Sequence, residues 1–273
     1  MLRVVVLGSR PDPQVPSCDH LVAANAAGKY SPDSLLKATS VHLVGLWQAI
    51  RDTVEDRTAG ERLRAADLRS VVLWNPKAGQ RARNWEQLLD ELERLLREGC
   101  GFDRPITVMT ADERRRLWES QTGLREPVVR PALRDPRAFA HAALLLAQHR
   151  VRVVAAHARA ARSRRPVVAP IVPEEFRPST GVMALSVAID RFGPSAGYCI
   201  AGVGLTGRGA YRVAGSDRLI RGNPAARPSS RWVVPPHTWV DRLLLNRLGS
   251  RYSVGTTEPG LAEACGLPMC DWS

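Results

Sequence analysis

Short apolar runs rich in β-branched residues recur along this chain, each closing on a glycine, an asparagine or a proline, and most are followed by an amphipathic segment. Few folds accommodate that alternation. Val4 to Leu7 runs into a Gly/Pro loop, Leu21-Val22-Ala23-Ala24 ends at Asn25, Val71-Val72-Leu73-Trp74 ends at Asn75-Pro76, and Tyr198 to Val203 encloses Gly202. Helical spacing is read over Ser34 to Arg51, after the start signal Ser31-Pro32-Asp33, and over Trp85 to Leu96 up to Gly99. Further helices are expected over Asp112 to Gln121, Phe139 to His149, Val182 to Asp190 and Val240 to Leu248, with a strand at Ile106 to Met109. Strands and helices alternating at these intervals predict a Rossmann-like α/β fold, a mostly parallel sheet with helices on both faces. Ligands of such sheets bind just past the carboxyl ends of strands, so functional residues are expected there.

The 273 residues suit one large domain, taken as 1–273, with a lid over Gly207 to Pro236, where Gly, Arg, Ser and Pro crowd out periodicity. Five scattered cysteines argue against a disulfide framework or a zinc site. The opening Met1 to Gly8 is too short for a signal-peptide core, and no stretch approaches the ~20 apolar residues of a membrane span. A cytoplasmic protein is expected. The net charge of +12 calls for anionic partners: nucleic acid, lipid headgroup, charged glycan or nucleotide. Arg114-Arg115-Arg116 and the Arg159 to Arg165 stretch read equally well as solvated helix faces.

Gly202-Val203-Gly204-Leu205-Thr206-Gly207 matches a dinucleotide phosphate loop, but Arg208 to Arg212 lacks the apolar helix that such a loop requires. A Gly-rich strand end is favoured. Arg177-Pro178-Ser179-Thr180-Gly181 is more informative, because it sets a basic residue, two hydroxyls and a glycine at a helix start, where free N–H groups attract phosphate or carboxylate. A plain Ser/Thr cap uses the same residues. The segment Ser179-Thr180-Gly181, an apolar helix to Asp190 and the strand Tyr198 to Gly202 together resemble the small sialyl motif of glycosyltransferase families 29 and 42.

Other pieces resemble those families in the same order. Gly8-Ser9 follows the first strand and Asn25 follows the next, an arrangement similar to the opening nucleotide-binding motif, and Trp74-Asn75-Pro76 resembles the family 42 strand end. Pro236-His237-Thr238-Trp239-Val240-Asp241 looks like the closing motif, whose His is the family's base. Tyr211 stands near the place of a phosphate-binding tyrosine. Ser9 departs from the usual Asn, Asp241 from a usual Glu, and Lys29 to Leu68 is long for the family.

The resemblance implies an inverting, metal-independent transfer of sialic acid or a related nonulosonic acid from a CMP-activated donor to a glycan or glycolipid hydroxyl. His237, Tyr211 and Asp241 would then be catalytic, and Gly8, Ser9, Asn25, Asn75, Arg177, Ser179, Thr180, Gly181 and Gly202 would bind the donor. No metal and no further cofactor are expected, since no DxD pair is present. Asp241, four residues after His237, would orient it. His237 could equally pack on Trp239 or Trp232, Tyr211 sit on a loop surface, and Asn25 and Asn75 serve only their turns.

His20, His42, His141, His149 and His157 have no polar constellation in the sequence and are assigned structural roles. A pterin diphosphokinase-like enzyme, with Glu174 and Glu175 as its nearby acids, is one alternative. A basic nucleic-acid-binding protein is the other, though no nucleic-acid motif is visible. Peripheral contact with the anionic inner membrane face would suit the charge. Sugar identity, linkage and oligomeric state stay open.

Overall fold

The computed structural model describes residues 1–10, 12–74, 85–123, 178–203, 210–212, 219–221 and 236–272, together with scattered helical positions between 143 and 158. Val4 to Leu7 are fully buried on both faces, as the strands of a doubly covered parallel sheet must be. They form β1 (Arg3–Leu7), which pairs in parallel with β2 (Cys18–Ala24) on one side and β6 (Gly197–Ala201) on the other. From β2 the sheet continues through β3 (Ala38–Gly45), β4 (Leu68–Leu73) and β5 (Thr107–Val108). Beyond β6 lies β9 (Ser253–Thr256), so the seven strands run β5-β4-β3-β2-β1-β6-β9, all parallel. The chain steps outward from β1 to β5 and then returns to β1's other side. The order therefore reverses between β1 and β6, and their carboxyl ends mark the switch point.

Alternation along each strand divides the core in two. Val6, Val22, Val44 and Val72 pack with Met183, Leu185 and Leu245 from α6 (Thr180–Phe192) and α7 (Pro236–Gly249), and α5 (Ala111–Thr122) joins this face. Leu7, Leu21, Leu43 and Leu73 pack on the other face with Ile50, Leu63 and Leu92, from α2 (Trp47–Glu55), α3 (Arg57–Ala65) and α4 (Trp85–Cys100). The α/β architecture expected from the alternation is thus present, helices on both faces included. A single turn, α1 (Ala27–Tyr30), follows β2, and α8 (Pro259–Cys265) follows β9. All five cysteines are free thiols, and no helix among the described residues is long and apolar enough to cross a membrane.

The expected helix over Ser34 to Arg51 does not form. Pro32–Lys37 is a 3₁₀ turn, Ala38–Gly45 is the central strand β3, and a true helix begins only at Trp47. Ser40 to Gly45 is continuously buried, and such a run imitates helical spacing when apolar residues flank it on both sides. Of the expected lid, the described parts form two short antiparallel strands, β7 (Ala210–Arg212) and β8 (Leu219–Arg221), where the sequence predicts an unstructured loop. Residues 207–209, 213–218 and 222–235 lie outside the described residues, as does most of the expected helix Phe139 to His149.

Candidate functional site at the carboxyl edge

The carboxyl ends of β1, β2, β3 and β6 converge on the amino terminus of α6. Gly8 and Gly202 close the switch point: Gly8 N donates to Ala201 O at 2.8 Å and Arg10 N to Gly202 O at 3.0 Å. A side chain on Gly8 would overlap the Gly202 carbonyl, and Gly202 takes a left-handed φ of 71°. Both positions therefore need glycine, one for space and one for conformation. Gly181, in the first turn of α6, meets Val203 so closely that a Cβ would lie 2.7 Å from Val203 Cγ2. Helix and strand end are thereby held together.

Asn25 follows β2 in a left-handed conformation, φ 52°, which Asn tolerates better than most residues. Its Nδ2 donates to Thr180 Oγ1 at 2.8 Å, and its Oδ1 accepts from Leu46 N at 3.1 Å, past the end of β3. One side chain so links two strand ends to the start of α6. Thr180 is nearly buried. Ser179 occupies the cap position, but its hydroxyl makes no cap bond. Its backbone N–H donates instead to Asp241 Oδ1 at 2.7 Å. The remaining first-turn N–H groups of α6 have no acceptor within the helix, and with the helix dipole they favour an anion. Ser9 is half-buried beside Gly8.

Asp241 is almost wholly buried on α7. Burial pushes its carboxyl up to about 7, against the pull of the Ser179 backbone N–H. The expectation from spacing is that Asp241 orients His237. In the structure its observed bond is the anchor that ties α7 to α6. His237 lies one helical turn earlier, in the first turn of α7, and Tyr211 in β7 pairs with Ile220 of β8. The side chains of both, and Asn75 and Arg177 altogether, lie outside the described residues.

Sequence reasoning misses one pair at this edge. Glu258, just past β9, accepts from Gly202 N at 3.1 Å through Oε1 and forms an ion pair with Arg10 through Oε2. Its carboxylate closes the carboxyl end of the switch point, neutralising a cation that follows β1. No strand is read from the sequence over Ser253 to Thr256, so nothing local marks Glu258. Among the described residues no group of three or more His, Cys, Asp or Glu side chains could hold a metal ion.

His20 and His42, expected to lack a polar constellation, are not isolated: His42 Nε2 lies 3.3 Å from His20 Nδ1, and His42 Nδ1 lies 2.9 Å from Ser70 Oγ. They sit at the opposite, amino-terminal edge of the sheet, in β2 and β3, so sequence separation hides their contact. Comparison of the chain with protein-family models, with curated proteins and with solved structures finds no match.

Proposed function

We propose that the chain is a CMP-sugar-dependent glycosyltransferase of the inverting, metal-independent kind, resembling the sialyltransferases. The observation that supports this reading most is the Asp241–Ser179 hydrogen bond, since it joins the helix bearing His237 to the helix start bearing Ser179, Thr180 and Gly181. A base and an anion-binding helix terminus are what displacement at a CMP-sugar needs. In the proposed reaction His237 takes the proton of the acceptor hydroxyl and the hydroxyl oxygen attacks the anomeric carbon. The bond from that carbon to the phosphate oxygen breaks, and CMP departs. Tyr211 would donate to the departing phosphate as its charge grows. The first-turn N–H groups of α6, with Asn25 and Thr180, would hold the nucleotide.

The test has two steps. CMP should raise the thermal midpoint where GTP and NAD do not, since a ligand at 100 times its dissociation constant adds ~2.7 kcal/mol. His237→Ala should then abolish transfer from CMP-sialic acid or another CMP-nonulosonic acid while the CMP shift persists. A midpoint indifferent to CMP but responsive to GTP or NAD overturns the reading, and full transfer activity in His237→Ala overturns the base assignment.

A further inference from the structure

The amino-terminal edge of the sheet carries a second polar cluster that the proposed transfer does not use. His20 of β2, His42 of β3 and Ser70 of β4 lie on neighbouring strands, and the last turn of α6 brings Arg191 and Phe192 over them. Arg191 donates through Nη1 to Ser70 Oγ, and Ser70 Oγ is hydrogen-bonded to His42 Nδ1 at 2.9 Å. His42 reaches His20 through its other nitrogen, and the Phe192 ring stacks on His20 with centroids 4.4 Å apart. His42 is buried, whereas Ser70 and His20 are half-exposed and Arg191 is exposed. The result is a fixed polar chain with a buried floor and an open basic rim.

Charge at this rim is unbalanced. Arg191 and Arg69 bear on both histidines and Arg104 on His42, and Arg104 donates to the Arg69 carbonyl at 3.4 Å. Asp19 accepts from Arg3 N at 2.8 Å, and Asp67 pairs with Arg69. Among the described residues no carboxylate forms an ion pair with Arg191 or Arg104. Burial and the Arg104 charge both lower the Arg191 pKa, while burial, then the neighbouring cations, push His42 down to about 3. The carboxyl end of α6 supplies only about half a negative charge to this corner. Cations crowded around neutral imidazoles, with Asp19 acting on His20 and no carboxylate acting on His42 or Arg191, form a surface that a multivalent anion would complete.

We propose that this edge binds a phosphate group, held by the Arg191 and Arg104 guanidinium groups and the His20 ring, with Ser70 and His42 fixing Arg191 in place. Planar guanidinium forks match the oxygens of a phosphate better than those of a smaller halide, and a dianion answers two cations at once. Free phosphate and the phosphate ester of a small metabolite share that chemistry. The proposal stands apart from the carboxyl-edge transferase reading.

The experiment follows the histidine ring signals of the full chain by NMR as inorganic phosphate is added, against sodium chloride of equal ionic strength. Saturable movement of the His20 signals with a rise in its pKa is expected, because burial holds the ring's pKa low, Asp19 opposes that while Arg191 and Arg69 add to it, and a nearby dianion favours imidazolium. Arg104→Gln, at an exposed side chain, should weaken the affinity about tenfold, and Arg191→Gln at least as much. Tighter binding of glycerol phosphate would identify an ester as the source, and tighter binding of inorganic phosphate the free ion. His20 signals that move no more than with chloride overturn the proposal. So does phosphate binding that survives Arg104→Gln and Arg191→Gln but is lost in Thr180→Val, since that places the anion at the other edge.

Discussion

The two edges of one sheet are built on opposite electrostatic plans. At the carboxyl edge the charges seen among the described residues are met: Arg10 pairs with Glu258, and the Asp241 carboxyl takes a backbone N–H. Close glycine contacts and a half-buried Asn–Thr bond hold the strand ends together, with the start of α6 a source of positive potential. At the amino edge Arg191 and Arg104 have no carboxylate among the described residues, and hydrogen bonds run between neutral rings and a hydroxyl. The same helix serves both edges, its amino terminus at one and its carboxyl terminus at the other. An edge held by close backbone contacts can orient a reacting molecule, whereas a basic, half-open edge can recruit an anion without ordering anything else.

The comparison predicts first that the carboxyl edge is intolerant of volume. Gly8→Ala sets a methyl against the Gly202 carbonyl, a backbone atom that cannot swing aside. A loss of ~3 kcal/mol is expected, read as a fall of roughly 8 °C in thermal midpoint. A variant within 2 °C of the parent would show that the switch point is looser than its geometry implies.

The sheet was legible because β1, β2, β4 and β6 each read as a buried run closed by a turn residue. The strand β3 was not, because Leu35 and Ile50 lie at helical spacing on either side of Val41 to Val44 and merge strand and helix into one pattern. Asn25 and Ser179 to Gly181 could be found because strand ends are where ligands bind. The Arg10–Glu258 pair spans 248 positions and Ser179–Asp241 spans 62, and contacts between segments so distant leave no local trace in one sequence. His42 was misplaced for the same reason as β3: with its strand read as a helix, neither His20 nor Ser70 could be its neighbour.

Second in size is the anchor between α6 and α7. Asp241→Ala leaves the Ser179 N–H without its acceptor and should cost about 2 kcal/mol. Asp241→Asn keeps an acceptor and removes the charge, so it separates bond from titration. The native carboxyl titrates near 7, above its unfolded value of about 3.9, so the folded state holds one proton more between those limits. Stability contributed by the protonated carboxyl is full below pH 4 and is lost as the pH rises through 7. Denaturant midpoints should decline over that window in the parent, with a flatter profile and higher stability above pH 8 in Asp241→Asn. Parallel profiles would show that this carboxyl is ionised in the fold throughout.

The smallest effects test whether the two edges are independent. Asn25→Gly relieves the left-handed backbone while deleting the bonds to Thr180 and Leu46, and should cost about 1 kcal/mol. Ser70→Ala removes the bridge between Arg191 and His42 at a similar cost of about 1 kcal/mol. β2 touches both clusters, through Asn25 at one end and His20 at the other. Five residues of extended chain separate these by about 16 Å, beyond the range at which substitutions usually couple. The double variant should therefore lose the sum of the single losses to within ~0.5 kcal/mol. A larger coupling would mean that β2 or α6 shifts as a unit, so that an anion at the amino edge would alter the geometry around Thr180. Additivity would instead leave each edge to its own ligand, one held by helix N–H groups and the other by guanidinium groups.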